Sequence, residues 1–225
     1  DASHAFGSYK NSKLVGSFGD ISCFSFDGIK NITSGEGGCV VTNDKKIIKR
    51  IKDIRFLGIK KESEKRYNKK KQFEFDVSDQ GWRNHMSDIM ASIGIEQLKK
   101  ISYFRKKRQI LAKYYIKLLS NNKNIELLDV DFNKVCPHIF VIVSKKKFNR
   151  RKLKEWFSKN KIEVGYHWKP IHELSFFKKN YKFKSLANTN NIKNRILTLP
   201  IHVDLKKNSV ERVSKKVNEY FNDWL

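Results

Sequence analysis

The sequence predicts an α/β chain whose second half is a smaller α+β unit, with the divide near residue 100. Three observations predict it. A length of 225 residues with 39% hydrophobic content suffices for one large or two modest packed domains. In the first hundred residues, short β-prone runs bounded by glycine alternate with apolar residues at helical spacing. Beyond residue 120 the texture changes to short strands and helices in quick succession.

Each element has its own signal. ISCFSF (21–26), between Gly19 and Gly28, predicts a buried strand. GEGG (35–38) predicts a turn, because glycine admits positive φ and close backbone approach. CVVTN then predicts a second strand, with Asn43 or Asp44 to cap a helix carrying Ile47, Ile48, Ile51 and Ile54 and ending near Gly58. Residues 59–72, IKKESEKRYNKKKQ, predict a solvated charged loop or hairpin. Ser87 is placed to cap a largely buried helix bearing Ile89, Ala91, Ile93, Ile95 and Leu98. A second amphipathic helix over 103–120 shows Ile110, Leu111, Tyr114 and Leu118. HIFVIVS (138–144) and KIEVGYHW read as strands flanking a helix at 150–160. ILTLPIHV leads into a closing helix, 208–222, with Val210, Val213, Val217 and Phe221 on one face.

Charge and cysteine content narrow the function classes. The net charge of +25 would suit a polyanionic partner. Yet 38 of the 48 basic residues are Lys and Asn numbers 19, a bulk bias rather than the arginine-rich display usual for nucleic acid. The aromatics mostly sit at core spacings, so no nucleic-acid partner is expected, although a basic surface would favour nucleotide phosphates. No apolar run approaches the roughly 20 residues of a membrane span, so no membrane partner is expected either. Cys23, Cys39 and Cys136 are odd in number and far apart in sequence, which argues against a disulfide framework or zinc site and for a reducing, cytoplasmic setting. His167 and His172 flank Pro170 five residues apart, which is not a helical metal-ligand pair, so no metal is expected. The opening DASHAFGSYK lacks Met and reads as starting within a longer protein.

Three polar sites interrupt apolar surroundings: Asp1-Ala-Ser-His4, Ser25 with Lys30, and GWRNHMSD (81–88). A lysine beside a buried strand has its charged form disfavoured, and a neutral amine is the nucleophile that Schiff-base chemistry requires. The competing explanation is a lysine snorkelling from a strand end to solvent. For Asp1, it is a chain-end carboxylate without a role.

The blocks D-A-S-H-A, G-S-F-G-D-I-S-C-F-S-F-x-x-x-K-N-I-T-S-G-E-G-G-x-V-V-T-N-D and M-S-D-I-x-A-x-I-G-x-x-Q-L resemble the DegT/DnrJ/EryC1/StrS family of pyridoxal-phosphate-dependent sugar aminotransferases. R-x-x-x-A-x-Y-Y (108–115) and H-x-K-P-x-H (167–172) fit the same family, so the resemblance runs through essentially the whole chain. It implies fold type I: a three-layer large domain with a mainly parallel sheet, of which residues 1–100 are the C-terminal remainder, and a small α+β domain at 101–225. It implies that Lys30 forms the Schiff base with pyridoxal 5′-phosphate and moves protons, that Asp1 pairs with the pyridinium nitrogen, that His4 lies near the ring and its phenolic oxygen, and that Ser25 bonds the phosphate. Where the family commonly reads G-Y-N-Y-R-M-S-D and sends the Asn to the neighbouring subunit's phosphate, this chain has Arg83, with Asn84 one place later and His85 where Arg is common. Either Arg83 or Asn84 then makes the contact, in a homodimer with shared active sites, and residues 59–80 match the region that packs across that interface. His167, Lys169 and His172 are implied as sugar or diphosphate contacts, a core role for His172 standing beside this. The implied reaction aminates a nucleotide-linked keto-deoxysugar with glutamate as donor, for bacterial surface polysaccharide or glycan. The alternatives are a non-nucleotide keto substrate on the same fold, or a basic nucleic-acid-binding module.

Overall fold

The computed structural model describes residues 1–59, 76–77 and 79–223. It divides into two compact units, Asp1–Ser102 and Tyr103–Leu225.

The first unit opens with a turn-rich stretch and a minimal hairpin, β1 (Tyr9–Lys10) and β2 (Lys13–Leu14). Asn11 and Ser12 both take positive φ there, the backbone sense that matches strand twist in a two-residue turn. A second hairpin pairs β3 (Ser22–Ser25) with β4 (Gly38–Val41), in the register Ser22↔Val41 to Ser25↔Gly38. Helix α1 (Lys45–Ile54) starts on Asp44, the second of the two expected caps, whose Oδ1 accepts from the amides of Lys46 and Ile47 at 2.7 and 3.3 Å. Gly58, at φ +73, donates its amide to Asp53 just beyond the helix end. Helix α2 (Asp88–Lys99) starts on Ser87, whose hydroxyl accepts from Met90 N at 3.4 Å, with Asp88 in its first turn.

Helix α3 (Ile101–Leu119) begins at the boundary and buries its inner face in the second unit. There β5 (Ile125–Leu127), β6 (Phe140–Ser144) and β7 (Ile196–Leu199) form an antiparallel sheet in the order β5-β6-β7. Helices α4 (Arg150–Lys159), α5 (Ser175–Asn180), α6 (Ala187–Ile192) and α7 (Lys207–Asp223) complete the unit. Its core is one cluster: Leu111 and Tyr115 of α3, Ile142 of β6, Leu153 and Phe157 of α4, Leu197 of β7, and Val210, Val217 and Phe221 of α7. Arg108 lies in the same buried face of α3. One of its terminal nitrogens donates to the carbonyls of Pro137, His138 and Ile201 at 3.1–3.2 Å, so carbonyl dipoles solvate the charge. Burial pushes its pKa below the usual arginine range.

Several expectations are corrected. Every described strand pair is antiparallel, so the mainly parallel sheet is not among them. A parallel pair needs a long crossover, whereas the β3–β4 connection closes on itself through Phe26 N donating to Gly37 O at 2.8 Å. The 21–26 strand is covered on one face only: Ser22 and Phe24 are buried, Cys23 is exposed. Helix α2 is not buried within this chain, with Ile89 74% and Ile95 57% exposed. An all-round apolar helix signals burial, but among the described residues only its Met90 and Gly94 side meets other parts of the chain, at Gly35 and Ser34. On α3 the core face is Phe104, Arg108, Leu111, Ala112, Tyr115 and Leu119, with Ile110 exposed and Tyr114 and Leu118 at its margin. KIEVGYHW forms no strand: Gly165 alone pairs, with Thr198, while Ile162 and Val164 still turn inward. The charged excursion lies, from residue 60 on, outside the described residues.

Candidate active site

The loop between β3 and β4 carries Lys30, and main-chain bonds fix its shape. Besides the Phe26–Gly37 bond, Ser34 N donates to Phe26 O at 2.9 Å and Lys30 N donates to Asp27 O at 3.0 Å. Thr33 Oγ1 donates to Phe26 O and accepts from Gly35 N, and the buried Ser34 hydroxyl donates to Glu36 O at 2.7 Å. Gly38 is required for contact: a Cβ there would lie 2.5 Å from the Phe24 carbonyl oxygen across the pair.

The first residues of the chain are tied to the same loop. Ala2 N donates to Cys23 O at 2.9 Å, and Asn31 Nδ2 donates to Phe6 O at 3.1 Å. The Phe6 ring packs edge-on against Phe24 and Phe26, at 5.1 and 5.7 Å between centroids. These ties set Nε2 of His4 2.8 Å from Lys30 Nζ, across 26 residues of sequence. Asp1 lies in the same turn. Its Oδ1 accepts from both the amide and the hydroxyl of Ser3, at 2.8 and 2.7 Å, which leaves Oδ2 outside those bonds. Ser25 ends β3, and its Oγ accepts from Asp27 N at 3.4 Å, so its own proton stays available to a further acceptor. An amine in contact with an imidazole is equipped for nucleophilic attack and local proton exchange.

Arg83 and Asn84 fall elsewhere in the unit. Residues 82–84 run antiparallel to 54–57, with Trp82 N to Ile54 O, Leu57 N to Trp82 O and Asn84 N to Arg55 O at 2.7–3.0 Å, and both side chains are exposed. Among the described residues no contact joins either of them to Lys30. Asn84 instead lines a cavity of about 580 Å³ with Cys23, Phe24, Cys39, Ile51 and Trp82, which neither Lys30 nor His4 enters. Cys23 and Cys39, far apart in sequence, lie on the two paired strands of this hairpin, opposite Val40 and Phe24 respectively. All three cysteines are free, and burial, then Cys23, raises the Cys39 thiol. Sequence reasoning missed Met86 and Met90. A Cβ on Gly37 would meet Met86 Cε at 2.5 Å, and one on Gly35 would meet Met90 Sδ at 3.3 Å. The start of α2 therefore buttresses the lysine loop, and the M-S-D-I-M run after the polar knot carried that signal.

The remaining candidates lie in the second unit. His167 Nδ1 is 2.9 Å from Thr198 Oγ1, and His172 Nε2 is 3.2 Å from Asn190 Oδ1. Lys169 is exposed. Glu173 between them is paired with Lys193, and that bond, ahead of His172 and Lys169, holds its carboxyl below the usual range. Among the described residues no cluster of three or more metal-ligating side chains occurs and no helix is long and apolar enough to cross a membrane.

Comparison with known proteins bears on this geometry. The model of the DegT/DnrJ/EryC1/StrS aminotransferase family matches residues 1–218. The UDP-4-amino-4,6-dideoxy-N-acetyl-beta-L-altrosamine transaminase of Campylobacter jejuni is 35% identical over 208 residues, which are 91% of this chain and 53% of that protein. The structure of Helicobacter pylori PseC, an aminotransferase involved in the biosynthesis of pseudoaminic acid, superposes with a TM-score of 0.89 at 30% identity, over 100% of this chain and 59% of that one. The pyridoxal-phosphate form of the putative sugar aminotransferase Spr1654 of Streptococcus pneumoniae shares the fold, with a TM-score of 0.88 at 22% identity. The chain thus spans between half and three-fifths of the proteins it resembles.

Proposed function

From the premise that this chain belongs to the DegT/DnrJ/EryC1/StrS aminotransferase family, we propose that it contributes the lysine-bearing part of a sugar aminotransferase. The enzyme transfers an amino group, from glutamate, to a nucleotide-linked keto-deoxysugar destined for surface polysaccharide or glycan. The observation that carries this is the 2.8 Å contact of Lys30 Nζ with His4 Nε2 on a loop fixed by its own main chain. Residues 1–100 are then the remainder of the large fold-type I domain and residues 101–225 the small one, in a cytoplasmic enzyme.

The donor set suits pyridoxal phosphate. Asp1 Oδ2, outside the Ser3 bonds, would accept from a protonated pyridine nitrogen. The Ser25 hydroxyl has a proton to give a phosphate oxygen. When bound, the cofactor supplies an electron sink that stabilises negative charge on the carbon losing a proton. Lys30 serves as nucleophile and then carries the proton between donor and acceptor carbons. His4 takes or returns a proton at Nζ between those steps, and the buttress of Met86 and Met90 keeps the loop from swinging. Arg83 or Asn84 reaches the phosphate of a partner subunit in a homodimer, consistent with their exposure. His167, Lys169 and His172 contact sugar or diphosphate.

The test is the visible spectrum of the intact protein with pyridoxal phosphate, followed by borohydride reduction and peptide mapping. The reduced label is expected on Lys30 and absent in Lys30→Ala. The same label in Lys30→Ala refutes the assignment.

A further inference from the structure

The second unit holds most of the net charge. Residues 103–225 carry 29 basic and 10 acidic residues, a net +19, against 19 and 13, a net +6, in residues 1–102. A bulk lysine bias alone would spread the excess evenly, so its placement has a separate cause. Within the unit the excess gathers at one edge of the β5-β6-β7 sheet. Strand β6 ends at Ser144 between the starts of β5 and β7, in the register Ile125↔Ser144 and Val143↔Ile196. Main-chain bonds tie the flanking segments there: Lys145 N donates to Asn124 O at 2.9 Å, Ser144 N to Arg195 O at 2.7 Å and Phe148 N to Asn194 O at 3.4 Å. Segments 123–124, 144–152 and 193–195 thereby meet, and together they hold nine Lys or Arg and no Asp or Glu. Helix α4 starts within this corner, which adds the positive end of its dipole.

The arginines of this corner are engaged within the chain. Arg151 Nε pairs with Glu155 at 2.9 Å and Arg195 Nη2 with Glu126 at 3.4 Å. The Arg150 guanidinium lies 5.0 Å from the Tyr166 ring centroid and donates to Lys193 O, while Lys193 itself pairs with Glu173. What faces solvent is a set of ammonium groups. Lys123, Lys145, Lys147 and Lys152 are exposed, and among the described residues none of them is in an ion pair. Between residues 129 and 167 no large apolar side chain is exposed. Base stacking and apolar anchoring are thus both missing, and the planar forks that read base edges are occupied. Point charges on flexible stems suit a partner that is itself a diffuse sheet of negative charge, and a bilayer rich in anionic headgroups is one.

We propose that the corner formed by residues 123–124, 144–152 and 193–195 docks the protein reversibly on the anionic headgroups of a lipid bilayer, with Lys145, Lys147 and Lys152 nearest the surface. The docking is electrostatic and peripheral. It needs no spanning segment, and among the described residues no helix is long and apolar enough to be one. Each lysine close to an anionic bilayer raises affinity about fivefold, and salt screens the effect. The proposal does not rest on the aminotransferase reading, because it uses none of the residues assigned to cofactor or sugar.

The experiment sediments the intact protein with sucrose-loaded vesicles, one part phosphatidylglycerol to two of phosphatidylcholine, in about 0.1 M salt. Binding is expected there, none to phosphatidylcholine alone, and release as salt rises to about 0.5 M. Lys145→Gln, Lys147→Gln and Lys152→Gln together should weaken binding about 100-fold. Lys178→Gln, Lys179→Gln and Lys182→Gln together remove the same charge from the same unit and should weaken it less than about fivefold. All six side chains are exposed, so both triple variants should keep the parent's unfolding midpoint; the lipid and salt dependence of the parent decides the proposal even if one does not. Failure of the parent to bind anionic vesicles overturns the proposal, as does equal loss in the two triple variants or binding that salt leaves unchanged. So does a short DNA duplex that strips the parent from the vesicles at equal phosphate, which would make the corner a nucleic-acid surface. Pyridoxal phosphate plays no part in the measurement, so the Lys30 label stands or falls separately.

Discussion

Replacing Gly38 by alanine tests how the lysine loop is held. The new Cβ would stand 2.5 Å from the Phe24 carbonyl oxygen, nearly an ångström inside ordinary contact, and a strand carbonyl cannot rotate away as a side chain would. Relief requires the ends of β3 and β4 to part at the Ser25↔Gly38 pair, which also strains the Phe26 N to Gly37 O bond. Overpacking costs about 1–3 kcal/mol and a weakened main-chain bond about 1 more, so Gly38→Ala should destabilise by about 2–4 kcal/mol. At about 2–4 °C per kcal/mol for a chain of this size, the unfolding midpoint falls by about 4–16 °C. Gly28, in the same loop, is the control. A Cβ there meets nothing nearer than the Gly35 carbonyl at 3.9 Å, so Gly28→Ala should stay within about 1 kcal/mol of the parent. Thermal unfolding of the intact protein reads stability, and borohydride labelling of Lys30 reads loop position. Equal midpoints for the two variants, or full labelling in a destabilised Gly38→Ala, would refute the claim that this contact sets the loop.

Two further outcomes follow from the second unit. Arg108→Met should destabilise by about 3 kcal/mol in urea unfolding, since the carbonyls of Pro137, His138 and Ile201 lose their common donor, and Arg108→Lys should recover part of this, because a single nitrogen makes all three bonds and an ammonium also carries three N–H groups. Burial pushes the Cys136 thiol from 9.0 up to about 11, against the opposing pull of Arg108 and Arg105. A folded-state pKa above the unfolded one gives stability that is complete below pH 9 and is lost as pH rises toward 11. Unfolding free energy should therefore fall by about 1.4 kcal/mol for each pH unit that lies well inside that window, and Cys136→Ala should make the slope between pH 9 and 10 shallower, leaving the part that the raised tyrosines Tyr115 and Tyr166 contribute as pH nears 10.

What sequence made legible follows from how local each signal is. Caps are read from one side chain and its next three residues, so Ser87 was legible as a cap and the first helix start was narrowed to Asn43 or Asp44, of which Asp44 caps. The face of the closing helix followed from period alone, because its apolar residues are valines and Phe221 with polar neighbours between them. Period failed on α3, where Ile110 and Tyr114 are as apolar as their buried neighbours and a charged residue, Arg108, takes a core position through carbonyls supplied by residues 29 and 93 positions away. Lys30 was singled out by its apolar setting, but its contact with His4 depends on the Ala2–Cys23 tie, which no spacing reveals. Met86 and Met90 escaped because a methionine buttress has no motif, only a shape that a glycine leaves open.

The ring of main-chain bonds around the lysine loop has an evolutionary corollary. Amide-to-carbonyl ties such as those of Ser34, Phe26 and Ala2 are made by any residue other than proline at the donating position. A neighbouring side chain that makes no such bond, the exposed Ile29 for one, is therefore free to drift with little effect on where the amine sits. Selection then needs to hold only a few identities: the lysine, its imidazole and carboxylate companions, the Asn31, Thr33 and Ser34 side chains that bond the main chain, and the glycines whose missing Cβ lets the strands close.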